Sequence, residues 1–134
     1  LRQADVVKIS DEEVEFLFGL NAQDGAKHIL KEFGVKLVFV TCGADGCFFM
    51  NARSSGHVPG LRGIQTVDTT GAGDIFGGSA VCRLLETGKA PETLEEAELR
   101  EIVSFACTAA GLSTTRHGGI QSVPELGDVI RSMR

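Results

Sequence analysis

The sequence has no tryptophan and no tyrosine, so its eight phenylalanines are the only aromatic residues among 134. It also lacks any run rich in lysine and arginine, and its formal net charge is −5. Nucleic acids and anionic membrane surfaces bind through basic patches, and single strands also stack on aromatic side chains. We therefore expect neither a nucleic acid nor a membrane among the partners of this protein.

Long apolar runs and paired cysteines are missing as well. No apolar run approaches the ~20 residues of a membrane span, and the first residues have no signal-peptide pattern. The four cysteines form no Cys-x-x-Cys pair, and three of them lie in apolar segments. These features predict a soluble, cytoplasmic protein with reduced thiols, three of them buried.

The first half of the chain alternates predicted strands with predicted helices. Its predicted elements are a strand over residues 5–9, a helix to about Gly19 after the capping-box pair Ser10 and Glu13, a helix capped by Asp24 and ended by Gly34, and a strand over residues 36–41. The last of these is a nearly continuous apolar run, which is typical of a strand covered on both faces in a parallel sheet.

The second half continues the alternation. Its predicted elements are a glycine turn over 42–46, a strand over 47–50, a short strand around His57 and Val58, a helix from Ile75 to Leu85 packed closely on a sheet, a helix from Glu95 to about Ser113, a loop over 114–123 and a short helix from Pro124. This order predicts one α/β domain with a largely parallel sheet.

The stretch over residues 64–80 is the centre of the sequence, with a β-branched run, glycines at 71 and 73, and an almost uncharged helical segment. Such a strand, turn and buried helix leaves the first helix amides without carbonyl partners, and the helix dipole adds a positive field. An anion such as phosphate is therefore expected at this turn. Asp74 follows the second glycine where a P-loop has lysine, and Phe76 stands where a dinucleotide loop has glycine. A carboxylate beside a phosphate suits phosphoryl transfer with Asp74 as base, and a turn capped by Asp74 is the alternative.

The segment from Asp68 to Phe76 resembles, position for position, the signature of the ribokinase-like (PfkB) sugar kinases. The resemblance extends over nearly the whole chain and implies the C-terminal half of a three-layer α/β/α sandwich. It implies an anion hole for the charge that develops on the γ-phosphate, and a general base, Asp74, for the substrate hydroxyl. The residues of the implied anion hole are Gly71, Ala72, Gly73 and Asp74.

The same resemblance implies an ATP site built from two further segments. The turn residues that would lie beside the phosphates and ribose are Thr41, Gly43 and Gly46, with Gly73 at the anion hole. The helix residues that would form the adenine wall are Ala106, Cys107 and Ala110, and many family members have Asn at the position of Cys107. A plain hairpin and the buried face of a helix are the alternatives for these two segments.

The resemblance also implies two cation sites. Glu13 would act through water on the Mg²⁺ carried by the ATP phosphates, because Mg²⁺ keeps much of its hydration; a capping box explains Ser10 and Glu13 equally well. A monovalent cation, K⁺, would bind oxygen ligands beside the anion hole. The residues of that cation site would be Asp68, Thr70, Ser113, Arg116, Gly118 and Ser122. A cap on the glycine turn is the alternative for Asp68.

The resemblance is strongest to fructokinases and implies ATP and a small sugar as substrates. Kinases for ribose, ketogluconate or a nucleoside are alternatives. The chain begins at Leu1 and lacks the Asp-bearing strand, the Gly-Gly-x-x-Asn segment and the β-sheet lid that hold the sugar in the family. We therefore expect the C-terminal part of a longer enzyme, inactive by itself and able to form a homodimer. A non-catalytic nucleotide-binding or regulatory module is the competing hypothesis, and Asp74 speaks against it because a pure binder gains nothing from a base.

Overall fold

The computed structural model describes residues 5–60 and 72–113. The strands are β1 (Val6–Ser10), β2 (Leu37–Thr41), β3 (Cys47–Asn51) and β4 (Ser55–Val58), and the helices are α1 (Asp11–Phe18), α2 (Ala22–Phe33), α3 (Ala72–Thr87) and α4 (Glu96–Ser113). Short 3₁₀ turns cover Gly43–Asp45 and Pro91–Thr93. The strand predicted before the glycine turn, the loop over 114–123 and the helix from Pro124 lie outside the described residues.

The four strands form one sheet in the order β1-β2-β3-β4. β1 and β2 pair in parallel, whereas β2 with β3 and β3 with β4 pair antiparallel. The described part of the sheet is therefore mixed, because the tight turn between β2 and β3 can only join antiparallel neighbours, while α1 and α2 make the crossover that a parallel pair needs. The predicted α/β fold is confirmed.

Strand β2 lies at the centre and is buried on both faces, as its apolar run predicts. Leu37 and Phe39 join the core under α3 and α4. Val38 and Val40 join a second core under α1 and α2. Side chains alternate along a strand, so one strand serves two helical layers, and the three layers of the sandwich follow.

The first two helices begin and end at residues that suit their backbone positions. Ser10 caps α1 in the predicted capping box, and Gly19 and Gly34 end α1 and α2 in the left-handed conformation. The cap of α2 was predicted one helical turn too late. Asn21, not Asp24, is the N-cap, because its side-chain oxygen accepts from the backbone N–H of Asp24 at 2.8 Å.

Helix α3 is less buried than its apolar composition predicts. Phe76, Ala80 and Leu84 face the core, one turn apart, whereas Val81 and Leu85 are 48% and 76% exposed. The prediction of a buried helix packed closely on the sheet is wrong for this outer face, since α3 packs mainly against α4. Helix α4 has the broad apolar face that was predicted, and its buried residues include Leu99, Ile102, Val103 and Ala106.

The cysteines are all free thiols, as predicted, but not all of the predicted burial is found. Cys47 and Cys107 are buried, Cys42 is half-buried and Cys82 is exposed on α3. The prediction of three buried thiols is therefore wrong by one, because the helix that carries Cys82 turns only one stripe of side chains inward. Within residues 5–60 and 72–113, no helix combines the length and apolarity needed to cross a membrane.

Candidate active site

The start of α3 is a helix N-terminus that can bind an anion. Within the described residues the helix begins at Ala72, and Gly73 and Asp74 follow on its exposed side. The first amides of a helix have no carbonyl partner in that helix, and they carry the positive end of its dipole. Asp74 is the acidic residue of this first turn. Gly71, the first residue of the predicted anion hole, lies outside the described residues.

Lys8 reaches this turn from strand β1. Its Nζ donates a hydrogen bond to the backbone oxygen of Gly73 at 3.3 Å, although 65 positions separate the two residues in the chain. Lys8 was not among the predicted site residues. The available signal was the alternation of β1, in which Val7 and Ile9 point to one core and Lys8 points to the opposite face, the face that carries α3 and α4.

Glu13 lies at the corner between β1 and α1 and makes the predicted capping box. Its Oε1 accepts from the N–H of Ser10 at 3.2 Å, and the Ser10 Oγ accepts from the N–H of Glu13 at 3.1 Å. Hydrogen bonding of the carboxyl group to the backbone and then to the side chain of Ser10, followed more weakly by the charge of Lys8, holds the pKa of Glu13 below its ordinary value. The capping alternative is thus confirmed, and Glu13 Oε2 has no hydrogen-bond partner in the part of the chain that the structure describes.

The turn between β2 and β3 brings Thr41, Gly43 and Gly46 together at the carboxyl end of β2. Gly43 and Gly46 have φ of 56° and 99°, which favour glycine. A Cβ on Gly46 would meet the backbone oxygen of Val58 and would lie 2.6 Å from the nitrogen of Gly60. The turn is therefore packed directly against the end of β4.

The predicted adenine wall lies on α4, on the side that faces the sheet. Ala106 and Cys107 are buried in the core under α3 and α4, and Ala110 is half-buried against the same core. Burial raises the pKa of the Cys107 thiol to about 12, with a smaller contribution from Cys42. Cys107 shares this core with Cys47, the first residue of β3 after the glycine turn.

Most residues of the predicted monovalent-cation site are not among those that the structure describes. Asp68, Thr70, Arg116, Gly118 and Ser122 lie outside the described residues, and only the backbone of Ser113 is described, at the last position of α4. Within the described ranges, no group of three or more His, Cys, Asp or Glu side chains is placed to hold a metal ion.

Comparisons with known proteins identify sugar kinases as relatives of this chain. The chain is 36% identical over 132 residues to fructokinase-2 of Solanum lycopersicum, and the matched region covers 98% of this chain and 39% of that protein. Its structure resembles the fructokinase of Vibrio cholerae O395 bound to fructose, ADP and a calcium ion, with a TM-score of 0.83, 32% identity, and coverage of 97% of this chain and 41% of that one. It also resembles the fructokinase of Xylella fastidiosa with bound ATP, with a TM-score of 0.84, 26% identity, and coverage of 98% and 43%.

Family membership follows from the extent of the match. The chain spans about two fifths of the length of the relatives it matches. The family pattern described as pfkB family carbohydrate kinase matches residues 1–126, nearly all of this chain. With the expected α/β/α layers, this chain belongs to the pfkB family of carbohydrate kinases.

Proposed function

We propose that the protein transfers the γ-phosphoryl group of ATP to a hydroxyl of a small sugar, with fructose as the acceptor. The observation that carries this proposal is the position of Asp74 in the first, exposed turn of α3, directly after Gly73. A carboxylate there can accept a proton from a bound hydroxyl while the helix amides receive the phosphoryl oxygens. The family and the fructokinase relatives support the choice of reaction and acceptor.

The chain's own residues would supply position and charge. The amides of Gly71, Ala72 and Gly73 would stabilise the charge that develops on the transferred phosphoryl, and one such donor is typically worth about 3 kcal/mol of barrier. Asp74 would accept the hydroxyl proton as the new oxygen–phosphorus bond forms. Positioning and charge stabilisation account for most of the catalysis in phosphoryl transfer, so no covalent intermediate is needed.

The nucleotide would lie between the turn after β2 and the wall on α4. Gly43 suits the phosphates and ribose because no described atom lies within 4 Å of a Cβ built there, so a ligand could approach its backbone. Thr41 and Gly46 would flank it in the same turn. Cys107 would face the adenine as a neutral thiol, since burial raises its pKa. Support comes from the Vibrio cholerae and Xylella fastidiosa fructokinases, which were solved with ADP and ATP respectively.

Two cations complete the proposal. When bound to ATP, Mg²⁺ neutralises phosphate charge, and the residues fit it as a largely hydrated ion: Glu13 keeps Oε2 available for a bound water while Oε1 caps α1. For K⁺, Asp68, Thr70 and the segment from Ser113 to Ser122 would provide oxygen ligands. A double mutant of the Vibrio cholerae fructokinase was solved with fructose, ADP and a potassium ion.

We also propose that residues 1–134 form the nucleotide-binding and catalytic part, and that the sugar contacts are made by other residues of a protein as long as its relatives. Without residues that hold the hydroxyl in line, positioning worth roughly 7 to 11 kcal/mol is lost. The 134-residue chain alone should therefore release no sugar-dependent ADP.

The test is the replacement Asp74→Asn, assayed in the complete gene product by coupled ADP release with fructose, ribose, a ketogluconate and a nucleoside. We expect turnover to fall about 10²- to 10⁴-fold while ATP affinity stays nearly unchanged. The matched control is Asp24→Asn, because Asp24 is also exposed and is also the third residue of its helix. Turnover of Asp74→Asn at a tenth of wild type, or ADP binding without phosphorylation of any acceptor by the wild type, would contradict the proposed function.

A further inference from the structure

Two glycines on α3 form a shallow groove that the side chain of Lys8 occupies. Gly73 and Gly77 are four residues apart and so lie on one face of the helix. A Cβ on Gly77 would lie 3.6 Å from Lys8 Cδ, and a Cβ on Gly73 would lie 3.3 Å from Lys8 Nζ. The stem of Lys8 thus follows the helix toward its N-terminus, and the ammonium ends at the turn that contains Asp74.

The direction of Lys8 is fixed by the strand that carries it. Val7 and Ile9, on either side of it, are buried in the core under α1 and α2. Val6, which shares the face of Lys8, packs against the core under α3 and α4. Turning Lys8 away from α3 would therefore require β1 to give up its contacts on both faces.

Stability alone does not explain a cation at this place. The dipole of α3 is positive at its N-terminus and opposes a positive charge there. The hydrogen bond to Gly73 is exposed and 3.3 Å long, so it adds little to folding. The charge of Lys8 also contributes, more weakly than Ser10, to the lowered pKa of Glu13.

A bond to the Gly73 oxygen acts on the next residue through the peptide plane. The peptide unit is planar and trans, so the orientation of the Gly73 carbonyl sets the direction of the Asp74 N–H and the start of the Asp74 side chain. A backbone oxygen has two lone pairs, so it can accept from Lys8 in addition to a helical N–H.

We propose that Lys8 is a positioning residue that holds the Gly73–Asp74 peptide, and through it the amide and carboxylate of Asp74, in the orientation used for phosphoryl transfer. This inference rests on the proposed function. Lys8 need not touch the substrate, because its hydrogen bond ends on the backbone. A misplacement of reacting groups by about 1 Å can lower a rate about 10²-fold, so a weak contact can have a large kinetic effect.

The test compares Lys8→Met, which keeps the stem in the groove and removes the donor, with Lys8→Arg, which keeps a donor. Lys27→Met is the matched control, because Lys27 is an exposed lysine on α2. In the complete gene product we expect Lys8→Met to lower kcat about tenfold or more, with less than a threefold change in the KM for ATP and an unchanged Tm. Lys8→Arg should recover most of the lost kcat, and Lys27→Met should match wild type.

An unchanged kcat in Lys8→Met would overturn the inference. If the Tm were lower at the same time, Lys8 would be purely structural, and if the KM for ATP were raised, Lys8 would be a nucleotide ligand.

An NMR measurement keeps the test independent of turnover. The Asp74 amide resonance should move in Lys8→Met and stay in place in Lys27→Met. If it stays in place in both, the contact is absent and the inference fails. If wild type phosphorylates no acceptor while the resonance moves, the proposed function fails but the Lys8 contact stands.

Discussion

The ring of Phe76 packs edge-on against the ring of Phe39, with centroids 5.9 Å apart and an interplanar angle of 78°. Phe39 belongs to the central strand β2 and is 1% exposed, and Phe76 follows two residues after Asp74 and is 3% exposed. Edge-to-face contacts of this kind are favourable beyond the area they bury. The pair therefore anchors the first turn of α3, and with it Asp74, to the middle of the sheet.

Replacing Phe76 by alanine should consequently destabilise the protein strongly. The loss of a buried phenyl ring typically costs about 3 to 5 kcal/mol, and Phe76→Leu should cost less because most of the volume is kept. Urea denaturation of each variant gives the change in the free energy of unfolding. The control is Phe16→Ala, since Phe16 is 88% exposed on α1 and should change stability by no more than about 0.5 kcal/mol. Equal losses from Phe76→Ala and Phe16→Ala would refute the anchoring role.

Features that depend on residues close together in the chain were predictable from the sequence, whereas features that depend on tertiary packing were not. The capping box of Ser10 and Glu13 and the terminal glycines Gly19 and Gly34 were predictable because each acts within one helical turn. The apolar run of β2 was predictable because burial on both faces leaves no polar position. The motif before Phe76 was the strongest indication of function because its residues are adjacent in the chain.

Two kinds of feature could not be predicted from the sequence. In one kind, two nearby residues are equally good candidates for the same role, and in the other, the contact joins residues far apart in the chain. Asn21 and Asp24 are both good caps, and only the position of the helix decides between them. The exposure of Cys82 depends on how α3 is rotated, which its small, uncharged residues do not fix. The contact of Lys8 with Gly73 joins residues 65 positions apart, so it needs the packed sheet and helix to exist first.

Gly46 should be far less replaceable than Gly43, although both have positive φ. The Cβ of an alanine at position 46 would clash with backbone atoms at the end of β4. The Cβ of an alanine at position 43 would have no atom within 4 Å among the described residues. Gly43→Ala should cost about 1 kcal/mol for its left-handed backbone, and Gly46→Ala should cost more than about 2 kcal/mol because backbone atoms must also move. Thermal or urea denaturation measures both. If Gly46→Ala were as stable as Gly43→Ala, the turn would not be packed against β4 as described.

Thiol labelling should separate the four cysteines by burial. The thiolate is the reactive form, and burial raises the pKa of Cys47 and, to about 12, that of Cys107. Both thiols should therefore stay neutral and unlabelled in the folded protein at pH 8, while exposed Cys82 reacts first. Cys42 should react more slowly than Cys82, because burial and then the charge of Asp11 raise its pKa.

The measurement is iodoacetamide labelling followed by peptide mass analysis, with a denatured sample in which all four thiols react as the reference. ADP with Mg²⁺ should slow the labelling of Cys42, which lies in the proposed nucleotide turn, and leave Cys82 unaffected. Labelling of Cys47 in the folded protein at the rate of Cys82 would contradict the burial of β3.

Because of the capping box, the free energy of unfolding should depend in part on pH in the acid range. The folded-state pKa of Glu13 lies below its ordinary value of about 4.5, mainly through hydrogen bonding of the carboxyl group to the backbone and side chain of Ser10. A carboxylate with a depressed pKa stabilises the fold above its unfolded-state pKa, and that contribution is lost as pH falls through the folded-state pKa. Ser10→Ala should cost about 1 kcal/mol at neutral pH. Glu13→Gln should lower stability at pH 7 by less than about 1 kcal/mol, since the residue is exposed and Gln can still accept the bond from Ser10.

The difference between Glu13→Gln and wild type should shrink as pH falls below about 4.5 and disappear once Glu13 is protonated in both states. Urea denaturation at a series of pH values between about 3 and 7 follows this difference. Glu12→Gln is the control, because it neutralises a carboxylate of the same turn that takes no part in the capping box. A Glu13→Gln difference that is constant with pH, or equal to that of Glu12→Gln throughout, would mean that the carboxylate does not close the cap. Glu13 Oε1 would then not be held at Ser10, and the proposal that Oε2 stays available to a hydrated Mg²⁺ would lose its structural support.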